Sequence, residues 1–158
     1  MKTSIGISEK NTKVVAEQLS ILLADEFVLY TKTLNAHWNL VGPDFHAAHL
    51  YFEELYKESA DIIDHVAERI RQIGHYAPGK LKTLLQLTHL TEEADGGNTS
   101  LVYIKILLED HQSIIEFIRG NIESFEEEHK DAGTSDFITG LMKKHEKIAW
   151  MLRAHLVK

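Results

Sequence analysis

Between His37 and Arg69 the chain reads HWNLVGPDFHAAHLYFEELYKESADIIDHVAER, with imidazoles and carboxylates at spacings that an ordinary surface helix has little reason to keep. From Pro43 onward there is no internal proline or glycine until Gly74, so the second part of the stretch predicts one helix of about eight turns. At about 100° per residue, with His49 set to zero, Glu53 falls near about 40°, Asp64 near about 60° and Glu68 near about 100°. Four side chains with donor atoms suited to a first-row divalent metal therefore share one face. They form two i,i+4 pairs, His49/Glu53 and Asp64/Glu68. The pairs cannot meet on one ion. Glu53 and Asp64 are roughly 16 Å apart along the axis, whereas metal–ligand bonds are about 2 Å.

Each half-site needs completing, and two arrangements would do it. Other helices of the same chain could supply ligands, or a second copy could lie antiparallel across a two-fold axis near Glu58–Ser59. The second arrangement sets His49/Glu53 of one chain against Asp64/Glu68 of the other and makes two identical sites roughly 22 Å apart. A single-chain di-iron bundle needs a Glu-x-x-His pair on each of two helices. The chain offers one, Glu126/His129, inside a charge cluster that reads as solvated. The two-fold arrangement is preferred on that ground.

The elements that position these residues follow from periodicity and punctuation. A first helix is expected from Ser8 to about Asn39, with Val15, Leu19, Leu22, Leu23, Phe27, Tyr30 and Leu34 at helical spacing and His37 continuing the stripe. Gly42-Pro43 ends it and restarts the chain, with Pro43 expected at the first position of a second helix that runs to Ile73 and stops at Gly74. Leu81–Leu87 predicts two turns within a long connection, and Asp95-Gly96-Gly97-Asn98 predicts a loop. A third helix capped by Asn98 or Thr99 carries Leu101, Ile104, Leu108, His111, Ile115, Ile118, Ile122 and Phe125. A fourth, capped by Thr134 or Ser135, carries Ile138, Leu141, His145, Ile148 and Leu152. His111 and His145 read as satisfied core histidines. The whole is all-α: a ferritin-like four-helix bundle with a short extra helix in the crossover between the second and third helices. It forms one domain over residues 1–158, with a loose N-terminal segment at 1–8.

Composition narrows the function classes. The chain has 158 residues, 44% apolar and 26% charged, enough for one sizeable core. With no cysteine, neither a disulfide nor a thiolate metal site is available. A net charge of −7 favours attraction of cations over binding of nucleic acid. The N-terminus lacks the apolar core of a signal peptide and no run reaches the length of a membrane span, so a cytoplasmic location is expected.

His37-Trp38-Asn39, Gly42, Phe45, His49, Glu53, Tyr56, Asp64 and Glu68-Arg69 resemble the signature of the Dps family, the dodecameric mini-ferritins. The similarity extends along the chain to the short crossover helix, the acidic turn at 126–131 and the late Lys147-Ile148-Ala149-Trp150. Glu53 departs from the aspartate of many members and reaches one methylene further. The resemblance implies a hollow shell of twelve subunits that oxidises Fe(II) with hydrogen peroxide or dioxygen and stores Fe(III) mineral inside. His37, His49 and Glu53 of one subunit would face Asp64 and Glu68 of its two-fold mate. These five residues are the expected metal ligands and catalytic residues, with iron as substrate and zinc as a surrogate. The resemblance also suggests Asp131 and Asp136 for a three-fold pore and Trp38 as a radical sink, beside an ordinary packing role for Trp38. Family members that bind DNA commonly use lysine-rich tails. Lys2, Lys10, Lys13 and Lys158 make a sparse set here, so weak or no DNA binding is expected.

Overall fold

A computed structural model of the protein describes residues 3–92 and 96–157, so Lys2, Asp95 and Lys158 lie outside it. The described residues are helical without a strand: α1 Glu9–Asn39, α2 Phe45–Gln72, α3 Leu81–Leu87, α4 Ser100–Glu123 and α5 Ala132–Ala154, with a π-helical turn at Ser124–Glu128. α1 begins where expected, because Ser8 is extended and its Oγ accepts the Asn11 N–H at 3.2 Å. α1 pairs with α2 and α4 with α5, α1 also touches α4, and α3 lies against α1. The interior holds Leu19, Leu22 and Leu29 of α1, Phe52, Ile62 and Ile70 of α2, Leu107, Ile114 and Ile118 of α4, and Ile138 and Leu152 of α5. Truncating one of these, such as Phe52 to alanine, costs about 3–5 kcal/mol.

Two helix starts differ from the sequence expectation. Pro43 is not the first helical residue. It occupies the second position of a turn closed by the Phe45 N–H on the Gly42 carbonyl at 3.2 Å, a place its fixed φ also suits. Gly42 has φ +142, outside the range of most L-residues. The turn is held from outside, since the Val41 N–H donates to the Asn98 carbonyl at 2.8 Å and the Ser100 hydroxyl donates to Asp44. α5 starts earlier than expected because Asp131, not Thr134 or Ser135, caps it: its Oδ1 accepts the Thr134 N–H at 2.9 Å. Thr99 stands at the N-cap position of α4, while Asn98 accepts the Tyr103 hydroxyl at 2.8 Å. Gly74 follows α2 with φ +98, as a helix-terminating glycine does.

The core is not wholly apolar. His111 and His145 sit back to back with their Nδ1 atoms 2.8 Å apart, and the Nε2 of His145 lies 2.8 Å from Oε1 of Glu26. Glu26 and His145 are fully buried and His111 nearly so. One of the two facing Nδ1 atoms carries the hydrogen that the other accepts. Burial first, and repulsion from His145 when that ring carries a proton second, push the His111 pKa well below 6.5. Nearby, Lys32 pairs with Asp110 at 2.6 Å and donates to the Thr91 carbonyl at 2.9 Å. Asp25 accepts the Thr88 hydroxyl at 2.7 Å and the His89 N–H at 2.6 Å. These α1 side chains fasten the long crossover to the bundle.

Candidate metal centre

The reversal through Leu40–Asp44 sets the last turn of α1 beside the first turns of α2. Two histidines twelve positions apart thereby meet: the His37 and His49 rings stack with centroids 3.8 Å apart and planes 18° from parallel. Their Nδ1 atoms make a reciprocal exchange. That of His37 lies 2.9 Å from the His49 carbonyl, and that of His49 lies 2.9 Å from the His37 carbonyl. A carbonyl oxygen only accepts, so each Nδ1 carries its hydrogen, and in the neutral ring the lone pair is then on Nε2. That is the ring state a metal ligand requires, with the outer nitrogen held by a backbone acceptor. The source of one acceptor is elementary. The final carbonyls of a helix lack intrahelical partners, and His37 lies in the last turn of α1.

Neighbouring rings fix the pair. Phe45 stacks on His49 at 5.1 Å, and Tyr56 stands edge-on to His37 at 5.2 Å. Both histidines are half-buried, with access retained. Glu53, one turn after His49, is partly exposed and takes an ion pair from Lys57. The hydrogen bond from Lys57, then its charge, holds the Glu53 carboxyl below 4.5, with His37 and His49 adding to the effect against a smaller opposing cost of burial. His37 and His49 thus stand together with Glu53 one turn along α2, and these residue types suit Fe(II) and similar divalent ions, although Glu53 is turned to Lys57.

Asp64 and Glu68 are exposed further along α2 and do not join them. α2 is continuous between Glu53 and Asp64, so the rise of roughly 16 Å stands. Among the described residues, no group of three His, Cys, Asp or Glu side chains closes on an ion within one chain. The structure brings His37 and His49 together beside Glu53 and leaves Asp64 and Glu68 apart from them. His46 and His65 are exposed and outside both groups.

Asp131 is 1% exposed, accepts from Thr134 twice, and pairs with the Arg69 guanidinium at 3.1 Å, so within the subunit its carboxylate serves as helix cap and ion-pair partner. Asp136 is exposed. Trp38 is 68% exposed and does not pack in the subunit core. Sequence reasoning missed Lys57 and the buried polar set of Glu26, Asp25, Lys32 and Asp110. A signal for Glu26 was present: it falls on the stripe of Leu19, Leu22 and Leu23, where an unpaired charge would be costly. For Lys57 the signal was its place four residues after Glu53.

The ferritin-like domain family matches residues 16–158. The chain is 37% identical over 155 residues to a low-temperature-induced protein of Nostoc sp., covering 98% of this chain and 87% of that one. It is 38% identical over 144 residues to DNA protection during starvation protein 2 of Bacillus anthracis, covering 91% of this chain and 97% of that one. Among solved structures it matches the Dps protein of Vibrio cholerae O1, described as a ferritin-like diiron-carboxylate protein, with TM-score 0.92 and 28% identity over 99% of this chain and 98% of that one. By fold, by family match and by these relatives, the chain belongs to the Dps family of ferritin-like proteins.

Proposed function

We propose that this protein is an iron-oxidising, iron-storing mini-ferritin. His37, His49 and Glu53 of one subunit and the partner's Asp64 and Glu68 would bind Fe(II) at a two-fold interface. Twelve subunits would enclose the Fe(III) mineral and protect the cell from iron and peroxide. The observation that carries the reading is the reciprocal exchange between His37 and His49, which leaves two Nε2 lone pairs side by side and accessible. Core histidines are normally satisfied at both ends, and this pair is satisfied at one.

The roles follow from the donor atoms. The imidazoles supply neutral nitrogen ligands, and the three carboxylates offset the cation's charge and favour the ferric product. So few protein ligands leave positions for water and oxidant. Hydrogen peroxide accepts two electrons, one from each of two Fe(II) ions, takes up two protons and leaves as water. Dioxygen is the alternative oxidant. Exposed Asp136 is the remaining candidate for guiding Fe(II) through a pore. The relatives named for DNA protection do not transfer a DNA contact to this chain, whose net charge of −7 per subunit opposes one at physiological salt. No described helix is long and apolar enough to cross a membrane.

The test is titration of metal-free protein with Fe(II) without oxygen, or with Zn(II) as the redox-silent surrogate, followed by peroxide. Tight binding and growth of ferric absorbance are expected in the wild type, and loss of both in His37→Ala and in Glu68→Ala. Wild-type binding in either variant would remove the assignment.

A further inference from the structure

Three buried side chains form a line across the waist of the bundle. Glu26 stands near the middle of α1, His111 near the middle of α4 and His145 near the middle of α5. His145 joins the other two, its Nε2 2.8 Å from the Glu26 carboxyl and its Nδ1 2.8 Å from Nδ1 of His111. Neither oxygen of Glu26 accepts an aligned hydrogen bond. The other buried carboxyl and amino groups among the described residues are committed elsewhere. Asp25 accepts from Thr88 and His89, Lys32 pairs with Asp110, and Asp131 pairs with Arg69. α2 sends no charged or imidazole side chain inward, since its one buried polar residue is Ser59.

A buried carboxylate is tolerated only beside a proton, on itself or on its neighbour. The line therefore holds one proton beyond a bare carboxylate and two neutral rings. It has no place for a second. Facing Nδ1 atoms 2.8 Å apart share one hydrogen, so two fully protonated rings would aim hydrogens at each other and set like charges on rings with centroids 5.0 Å apart. The alternative, a protonated carboxyl beside one charged ring, leaves a buried cation without a free anion. We infer that Glu26, His145 and His111 form an acid-sensitive fastener: a second proton drives the two rings apart and loosens α4 from α5, while α1 and α2 keep their packing. Burial, then repulsion from His145, already holds His111 well below its ordinary range, as this strain on a second proton requires. The division between the helix pairs follows from placement. The contact that fails lies between α4 and α5, whereas α1 and α2 pair with each other and α1 enters the line only through Glu26. The proposed iron ligands all stand on α1 and α2, so the fastener does not depend on the iron reading.

The experiment is hydrogen exchange read by mass spectrometry on the metal-free, assembled protein. Exchange is compared at about pH 7.5 and about pH 5, either side of the ordinary histidine range, with rates corrected for the pH dependence of exchange itself. Protection of the central peptides of α4 and α5 should fall about tenfold more than that of α1 and α2. His111→Gln and His145→Gln each keep a hydrogen-bonding group and remove one titrating ring. Each should abolish the difference, and either one, folded, is sufficient. His89→Gln should retain it; this ring faces Asp25 from the crossover and is the rival titrating group. A uniform loss over all four long helices in the wild type, persistence of the difference in a folded His111→Gln or His145→Gln, or its disappearance in His89→Gln overturns the fastener and leaves the iron site standing.

Discussion

The proposed sharing of each site between two chains predicts an outcome that one mixing experiment reads directly. His37→Ala damages the nitrogen half-site and Glu68→Ala the acidic half-site. In a homodimer of either variant both sites are defective, with affinity reduced by more than the roughly 10–100-fold typical of losing an outer-shell partner. In a dimer of one variant with the other, one site carries both lesions. The second joins the intact His37/His49/Glu53 of one chain to the intact Asp64/Glu68 of its mate. Random pairing of equal amounts makes half the dimers mixed, so about a quarter of all sites are whole. The roughly 16 Å rise between Glu53 and Asp64 on a continuous α2 rules out the same rescue within one chain. Co-expressed and separately expressed variants are compared by Zn(II) titration and by the initial rate of Fe(II) oxidation, with circular dichroism confirming that all are folded. Recovery of about one quarter of the wild-type stoichiometry is expected in the mixture. A mixture no better than its two parents would refute the shared site.

Four further outcomes are expected. Lys57→Met should bind Zn(II) about two- to fivefold more tightly by calorimetry, because Glu53 no longer exchanges an ammonium partner for the metal; equal or weaker binding would mean that the ion pair does not compete. His111 has a folded pKa below its unfolded 6.5, so the native state binds fewer protons; its contribution is complete above that pH and is lost as pH falls through and below it. The slope is at most about 1.4 kcal/mol per pH unit per subunit. Asp110, raised by burial despite Lys32, has the opposite sign, so the thermal-midpoint profile of His111→Gln against wild type, at one protein concentration, isolates the effect; identical profiles would dismiss it. Asp131→Ala should destabilise by about 2–4 kcal/mol through loss of the α5 cap and the stranding of Arg69. Asp136→Asn should instead leave the melting midpoint unchanged and slow iron uptake at limiting iron; a reversal of the two phenotypes would restore the pore role to Asp131.

Helix number, order and most boundaries were legible because they depend on local chemistry: the hydroxyl of Ser8, the backbone freedom of Gly74, the apolar spacing of α4 and α5. Failures arose where a distant partner decided. Pro43 is equally at home in a turn or at a helix start, and the Val41–Asn98 bond selects the turn. Asp131 and Thr134 both cap helices, and the Arg69 guanidinium favours the arrangement with aspartate outside. The metal face of α2 was legible because helical rotation is regular. The ring states of His37 and His49 were not, since they depend on two carbonyls brought close only by the chain reversal. Glu26 lay hidden for a related reason: the group that stands 2.8 Å from its carboxyl, His145 Nε2, arrives from another helix.

The anchoring of α2 makes it a ruler. One end is moored to α4 through Val41 and Asp44, and the other to the start of α5 through Arg69. Inserting a single residue between Glu53 and Asp64 would swing the far pair by about 100° and shift it by about 1.5 Å. In a symmetric pair of chains that error appears at both centres at once. The interval along this rod cannot drift without displacing both centres of the proposed dimer together.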